Sequence, residues 1–447
     1  MTQNRAIGGF SGGRTVSMRR GTNLPAVGGF NQAVILDLIR REPAGMSRVE
    51  LAERSGLSSQ TVSNMTKRLL DDGMIVEAGR HISGRGQPRV ILKLDPTSRM
   101  AIGVHLDPTV ITYVALDLRG DVIAHARERT PEATRPDDVI ASIAESISAL
   151  IRSAGLAADR ILGIGIAAPG PIDMDRGVIV DPPLLEGWRD VPLRDALAEA
   201  TGLPVVLEKD VNAAVVAELW TRPGEAHDHF AFFYLGTGIG IGLAVAGEVV
   251  RGATANAGDG GTIHVTAADL PPRRRSDMVG HLATPQYLVS QAAEVGALET
   301  APDLHDLAAV DDAYSELVRR ADRGDAPAVK VMARAAALIS AALVSVVNLL
   351  DIDEIVFGGP AWARAAPLMR SEIVARINDS PERGARHVVT VGDATVGEDV
   401  AAVGAACLIL DRLLSPRPST LLIGQRAGVG GEAADPAATP SVGAPTA

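Results

Sequence analysis

The chain has a single cysteine, Cys407, in 447 residues. That excludes an internal disulfide framework and any zinc site built from a cysteine cluster. Long apolar runs are missing too. No window approaches 18 consecutive apolar residues, and residues 1–30 mix arginine with glycine where a signal peptide would carry its apolar centre. Neither secretion nor membrane spanning is expected, and a reducing cytoplasm fits. A further scarcity is local. The stretch IGVHLDPTVITYVALDLRGDVIA from residue 102 has two alternating apolar segments around a short turn, the outline of a phosphate-gripping hairpin, yet the turn holds His105, Asp107 and Pro108 where glycines are expected.

What is present is enough apolar residue, 46%, to bury a large core over two or three domains. The net charge of −11 is unevenly placed. Residues 1–94 carry 14 Lys+Arg against 7 Asp+Glu, and the remainder carries 29 against 47. The basic end is therefore the candidate for a polyanion partner, and the acidic bulk is not. Residues 1–29, rich in Gly and Arg, read as a disordered arm, and 415–447, rich in Pro, Ala, Gly and Ser, as a disordered tail.

From residue 30 the pattern turns helical, with Val34, Ile35, Leu38 and Ile39 on one face. SRVELAERSG opens with Ser47 three residues before Glu50, a capping box, and closes at Gly56. SSQTVSNMTKRLLDDG has Ser58 as its cap and turns Val62, Met65 and Leu69 inward, leaving Ser59, Gln60, Ser63, Asn64 and Lys67 outward. Ala52, Gly56 and Val62 have helix-turn-helix spacing. MIVEA and RVILKL then flank a loop with Arg80, Arg85 and Arg89, which reads as a wing. A packing module with a merely solvated polar face would share this outline. Short polar side chains suited to base edges, followed directly by arginines, favour DNA contact by Ser59, Gln60, Ser63, Asn64, Lys67, Arg85 and Arg89.

Residues 96–414 alternate strands and helices. A strand–turn–strand meander occurs at 102 and again at 231 (HFAFFYLGTGIGIGLAVAGEVVRGA), which predicts two halves with the same core and a two-lobed α/β fold with a cleft between the lobes.

The chain resembles the winged-helix regulators of the ROK family (repressor, open reading frame, kinase) over roughly residues 22–412. SRVELAERSGLSSQTVSNMTKRLLDDGMI and GRGQPRVILKLD match the family's DNA-binding part. IGIAAPGPID, EKDVNAAVVAE, LGTGIGIG, NAGDGGTIH and IVFGGP match its kinase-like part, in order. The resemblance implies an N-terminal winged helix-turn-helix (30–95) followed by a two-lobed actin-like, ribonuclease H-like sugar-kinase fold (96–414).

The family's functional positions transfer unevenly. In its kinases the first hairpin reads Asp-x-Gly-Gly-Thr, whose glycines admit ATP phosphates. Here His105 replaces the acid, Asp107 and Pro108 replace the glycines, and Thr109 alone remains. Proline removes an N–H donor and Asp107 sets negative charge against a polyanion, so this phosphate site is read as lost. The second turn, Gly236-Thr237-Gly238, is intact as a residual phosphate loop, though a tight hairpin needs glycine equally for steric reasons. Gly358 and Gly359, at adenosine-site positions, share that ambiguity. Asp210 stands at the position of the catalytic base, preceded by Lys209, which can pair with Asp210 or Glu208. The family's Ala-Gly-Glu-x-Gly-His appears as Ala257-Gly258-Asp259-Gly260-Gly261-Thr262, with His264 two residues late, and the zinc loop is replaced by PPRRRSDMVGHL.

The resemblance therefore implies a sequence-specific transcriptional regulator of sugar-related genes, a repressor, acting on double-stranded operator DNA. A sugar or sugar-phosphate effector would be held by Lys209, Asp210, Asp259 and Thr262. No metal or other cofactor and no phosphotransfer are expected, and the assembly is a homodimer or homotetramer. A sugar kinase with an appended DNA-binding domain is the enzymatic alternative, and a regulator answering to a protein partner is a third.

Overall fold

The computed structural model describes residues 24–81, 89–131, 135–185, 187–222, 228–266, 276–384 and 387–414. The N-terminal arm before Leu24, the wing tip with Arg85, and the tail from 415 lie outside these residues.

The first unit contains α1 (Leu24–Arg40), β1 (Met46–Ser47), α2 (Arg48–Ser55), α3 (Ser59–Asp71), β2 (Ile75–His81) and β3 (Arg89–Leu94). Helix α1 starts inside the segment expected to be a disordered arm, so the boundary expected at residue 30 falls within a helix. Gly28 and Gly29, poor helix formers, hid its first turns, while Pro25 suits a helix start. Its buried face is Ala33, Ile35, Leu36 and Ile39, rotated from the expected one, with Val34 and Leu38 half-buried.

The capping box forms as read: Ser47 N–H donates to Glu50 Oε2 at 2.7 Å and Glu50 N–H donates to Ser47 Oγ at 3.4 Å. Gly56, at φ 68°, ends α2, and Ser58 accepts from Thr61 N–H to start α3. Val62, Met65 and Leu69 are buried, joined by Thr66. β1, too short to show periodicity, pairs with β3 and completes a three-stranded sheet in the order β1-β3-β2.

Lobe I follows with the antiparallel meander β4 (Met100–Leu106), β5 (Val110–Asp117) and β6 (Val122–Arg129). After α4 (Pro136–Ser153) come β7 (Ile161–Ala168), the ribbon β8 (Ile172–Asp173) and β9 (Val178–Ile179), α5 (Leu193–Thr201) and β10 (Val205–Lys209). Helix α6 (Asp210–Thr221) leads to lobe II. Its meander is β11 (Phe230–Leu235), β12 (Ile239–Val245) and β13 (Glu248–Val249), followed by the ribbon β14 (His264–Thr266) and β15 (Ser276–Met278). Helices α7 (Gly280–Ala283), α8 (Pro285–Glu294), α9 (Leu307–Asp322) and α10 (Ala326–Leu350), then β16 (Glu354–Gly358), α11 (Pro360–Asn378) and β17 (Thr390–Asp393), complete it.

The two sheets have one topology. Their orders are β10-β7-β4-β5-β6 and β13-β12-β11-β16-β17, each an antiparallel meander extended by two parallel strands, as the repeated meander predicted. Every residue of β4 and of β11, the central strands, is buried. α10 is long and apolar enough by composition to cross a membrane, but here it contributes to the core of lobe II.

The last helix, α12 (Val400–Leu414), returns to lobe I and packs on α6, β4 and β7. The approach is too close for side chains. A Cβ on Gly103 would lie 2.0 Å from Ala402 O, one on Gly165 1.8 Å from Ala405 O, and one on Gly404 1.7 Å from Ala213 O. α12 also packs on α1, and Ile409, Leu410 and Leu414 share one apolar cluster with Ile35, Leu36 and Ile39. At the same seam the Arg40 guanidinium, held by Asp37 at 3.0 Å, lies 4.3 Å from the centre of the Trp220 ring at the end of α6. Because the atom facing Gly165 is backbone and cannot swing aside, Gly165→Ala is expected to lower stability by about 3 kcal/mol, read as a drop in the urea midpoint at unchanged slope.

Candidate functional site

Two surfaces bear on function. The first is α3. Its apolar stripe is used up in the core, so the opposite face consists of Ser59, Gln60, Ser63, Asn64 and Lys67, all exposed. Gln60 Nε2 donates to Asn64 Oδ1 at 3.2 Å, which aligns two amides one helical turn apart. Arg89, at the start of β3, is exposed beside them in sequence order, and Arg85 lies outside the described residues.

The second is the floor of the cleft between the lobes. β4 ends with His105 and Leu106, and the turn to β5 carries Asp107, Pro108 and Thr109. Asp107 is only 4% exposed. Its Oδ1 accepts from Thr109 N–H at 2.8 Å and from Thr109 Oγ1 at 2.6 Å, an Asx turn that consumes the one hydroxyl the hairpin retains. Its Oδ2 accepts from Thr237 Oγ1 at 3.3 Å, across the cleft in the second turn. His105 is buried with its Nε2 unpartnered, and its ring stands edge-on to Tyr234 at 6.0 Å between centroids. Burial pushes the Tyr234 hydroxyl well above its ordinary range, with the carboxylates of Asp107, Asp210 and Glu398 adding to the shift.

The second turn is partly explained by packing. A Cβ on Gly236 would strike Tyr234, and one on Gly240 would meet Val211 at 2.2 Å, whereas one on Gly238 would meet nothing within 4 Å. Gly358 and Gly359 are sterically required: their Cβ atoms would lie 2.5 Å from the Phe232 ring and 2.4 Å from Leu235 O, and Gly359 has φ 100°. Beyond them a cavity of ≈ 880 Å³ opens, walled by Phe357, Trp362, Ala366, Pro367 and Val374.

Of the four effector candidates, Lys209 and Asp210 come together where β10 passes into α6. Burial raises the Asp210 carboxyl above the usual range, against the opposing pull of His105, the Val211 N–H and Lys209. Lys209 does not take the carboxylate partner expected of its amine. Its Nζ donates to the carbonyl oxygens of Asn256 and Ala257 at 3.2 and 3.3 Å, while Glu208 is taken by Arg251 at 2.7 Å and by Asn212 at 3.0 Å. The 254–258 segment is also stapled to lobe I by Asn256, which exchanges two 2.7 Å hydrogen bonds with Ile172. Asp259 and Thr262 follow on a solvent-facing turn, both exposed, with Thr262 Oγ1 donating to Asp259 O. His264 is exposed on β14, and among the described residues no group of three His, Cys, Asp or Glu is placed to hold a metal ion. The Asp107–Thr237, Asn256–Ile172 and Arg251–Glu208 links had no local signal in the sequence.

A winged helix seated on a duplicated two-lobed domain, with two hairpin turns facing each other across its cleft, defines a DNA-binding protein built on the sugar-kinase fold. The chain belongs to the ROK family: the family's model matches residues 101–412, and a winged helix-turn-helix DNA-binding model matches 34–76. It is similar to the xylose repressor of Bacillus subtilis, 24% identical over 394 residues that span 86% of this chain and 96% of the repressor. A crystallised ROK family transcriptional regulator, a homologue of the E. coli MLC protein, shares the fold with TM-score 0.70 at 21% identity, over 89% of this chain and all of that one. A ROK family glucokinase from Streptomyces griseus, crystallised with glucose and AMPPNP, matches with TM-score 0.56 at 26% identity, over 69% of this chain and 98% of the enzyme.

Holding Asp210 ionised in the cleft costs stability. A carboxyl raised in the folded state stabilises most below its unfolded pKa, and that contribution is lost as pH rises through the folded value. Asp210→Asn is therefore expected to raise the melting temperature at pH 7, with the gap over wild type closing as pH falls toward 4, as followed by thermal denaturation across pH.

Proposed function

We propose that the protein is a sequence-specific transcriptional repressor of sugar-related genes, whose kinase-like domain senses a small polyol and assembles the protein but does not transfer phosphate. The observation that carries this reading is the pairing of a fully exposed polar face on α3 with a cleft floor where Asp107 and Pro108 stand in place of phosphate-admitting glycines. Likeness to a repressor along almost the whole chain supports it, whereas the glucokinase matches only the body. The action is in the cytoplasm, on double-stranded operator DNA.

Gln60 and Asn64 are assigned to base edges, where an amide pairs bidentately with adenine. Ser59, Ser63 and Lys67 reach edges or phosphates, and Arg85 and Arg89 hold the adjoining minor groove and backbone. Because such domains commonly read paired half-sites, a homodimer or homotetramer is proposed. The effector is assigned to Lys209 and Asp210, with Asp259 and Thr262 closing over it from the exposed turn. With two of its three donors on carbonyls, the Lys209 amine keeps one for an acidic, phosphorylated or neutral sugar.

Asp210, kept at the position of the kinase base, is the feature that speaks for an enzyme. Mg·ATP with a panel of hexoses and pentoses is nevertheless expected to yield no sugar phosphate. A turnover of about 1 per second or more, ordinary for kinases and lost in Asp210→Asn, would establish the enzymatic reading instead.

For DNA, the operator is first selected from random sequence. Asn64→Ala should then cost about 1–3 kcal/mol at the operator and little on random DNA, whereas Arg89→Ala should weaken both and reduce the salt slope by about one. Equal losses on both DNAs for Asn64→Ala would make α3 a backbone clamp and remove the assignment of specificity to it.

A further inference from the structure

The floor of the cleft contains a contact that no repacking within one lobe explains. The 107–109 turn belongs to lobe I and the 236–238 turn to lobe II, and a buried carboxylate of the first receives a hydroxyl of the second. We propose that Asp107 is a built-in anionic ligand for the Gly236-Thr237-Gly238 turn, and that this contact keeps the two turns closed on each other with no nucleotide present. The inference extends the reading of the cleft as non-catalytic.

The chemistry follows from the donors. Two turns facing each other across a cleft bring donor groups to one place, and the space between them suits an anion. Asp107 supplies that anion from within the chain. Taking a carboxylate out of water is costly unless its oxygens are hydrogen-bonded, and here three donors meet it: the N–H and hydroxyl of Thr109 from its own turn, and the hydroxyl of Thr237 from the other lobe. Pro108 fixes the backbone immediately after the carboxylate. The arrangement is anchored from behind as well, since Asp107 N–H donates to Val110 O and Thr130 Oγ1 donates to Asp107 O. An incoming phosphate would have to displace a carboxylate that is already satisfied, and would then lie against its charge.

A second tie crosses at the rim. Arg127 on β6 of lobe I reaches Glu398 and Asp399 at 2.8 and 2.6 Å, in the segment that leaves β17 of lobe II, and His125 meets Asp399 at 3.1 Å. These groups are partly exposed and contribute little on their own. Asn256 and Lys209 staple the 254–258 segment to lobe I elsewhere, so what the buried floor contact sets is how closely the two turns approach each other. Between the two ties a cavity of ≈ 850 Å³ stays open, bounded by Thr109 and Trp188 on one side and by Asp311 and Arg364 on the other. A small molecule can reach it while the floor remains shut.

The test measures the distance between the lobes in the full chain. Cys407 is fully buried, so spin labels on Glu145→Cys in lobe I and Lys330→Cys in lobe II, both exposed positions, report selectively. Without ligand, pulsed electron–electron resonance should give one narrow distance distribution, and Mg·ATP should leave it unchanged. Thr237→Val, which removes the hydroxyl and keeps the shape, should broaden and lengthen it. Asp107→Ala should do the same, and the double variant should go no further than either single one. A wild-type distribution in Thr237→Val overturns the proposal whatever Asp107→Ala does, and it carries the test alone if Asp107→Ala does not fold. A shift on adding Mg·ATP to the wild type also overturns it. Phosphotransfer is assayed separately by product, so a kinase with unlocked lobes and a non-enzyme with unlocked lobes give different results.

Discussion

The contact of α12 with β4, β7 and α6 is made at distances no side chain allows, and the rest of the architecture depends on it. Gly103, Gly165 and Gly404 let the backbones of a helix, two strands and a second helix meet almost directly, around a small core of Ala167, Ala213, Ala401 and Ala405. The elements fixed in this way are those that carry the cleft floor. β4 delivers His105, β10 delivers Lys209, and α6 begins with Asp210. A close-packed interior transmits small displacements with little loss. The positions of these side chains are therefore set by backbone packing one layer beneath them, and surface substitutions around the cleft leave that frame in place.

On this frame the cleft has been rebuilt electrostatically. The floor holds a buried Asp107 and a half-buried Asp210, together with buried Tyr234 and an imidazole, that of His105, whose Nε2 has no partner. A site of this kind is expensive in stability, and such expense is commonly found where binding or chemistry occurs. The flanking 254–258 segment is pinned by Asn256, Lys209 and Arg251, so its shape is preset before any ligand arrives. The proposed effector positions are thus divided between the pair Lys209 and Asp210, whose lysine binds this pinned segment, and the solvent-facing turn that carries Asp259 and Thr262.

Much of this was legible in the residue order. Period-2 alternation gave the two meanders, the Ser47–Glu50 spacing gave the start of α2, and the apolar stripe of α3 left its five polar residues outward, because local pattern decides each of these. The match of LGTGIGIG to the family located the second turn, and that of EKDVNAAVVAE located Asp210. The remainder was set by contacts between residues far apart in sequence. Nothing near Asp107 announces Thr237, and nothing near Lys209 announces the carbonyls of Asn256 and Ala257, whereas Glu208 and Asp210 stand beside its amine as local partners. The start of α1 was hidden by Gly28 and Gly29, and β1 by being two residues long. The glycines of the second turn were ambiguous because steric need and anion contact select the same residue. Packing separates Gly240, where a Cβ would meet Val211, from Gly238, which has open space around it.

The packing of α12 on α1 also affects how the protein is made. The DNA-binding unit comes first in the chain, yet its apolar underside, Ile35, Leu36 and Ile39, is covered by Ile409, Leu410 and Leu414 near the far end of the described residues. Domains usually complete themselves in order of synthesis. Here α1 packs on the last helix as well as on its own unit, so a nascent chain still short of Val400 lacks one of the partners of that helix. The contacts of the winged-helix unit are thus completed only when the last helix of the ROK domain has been made.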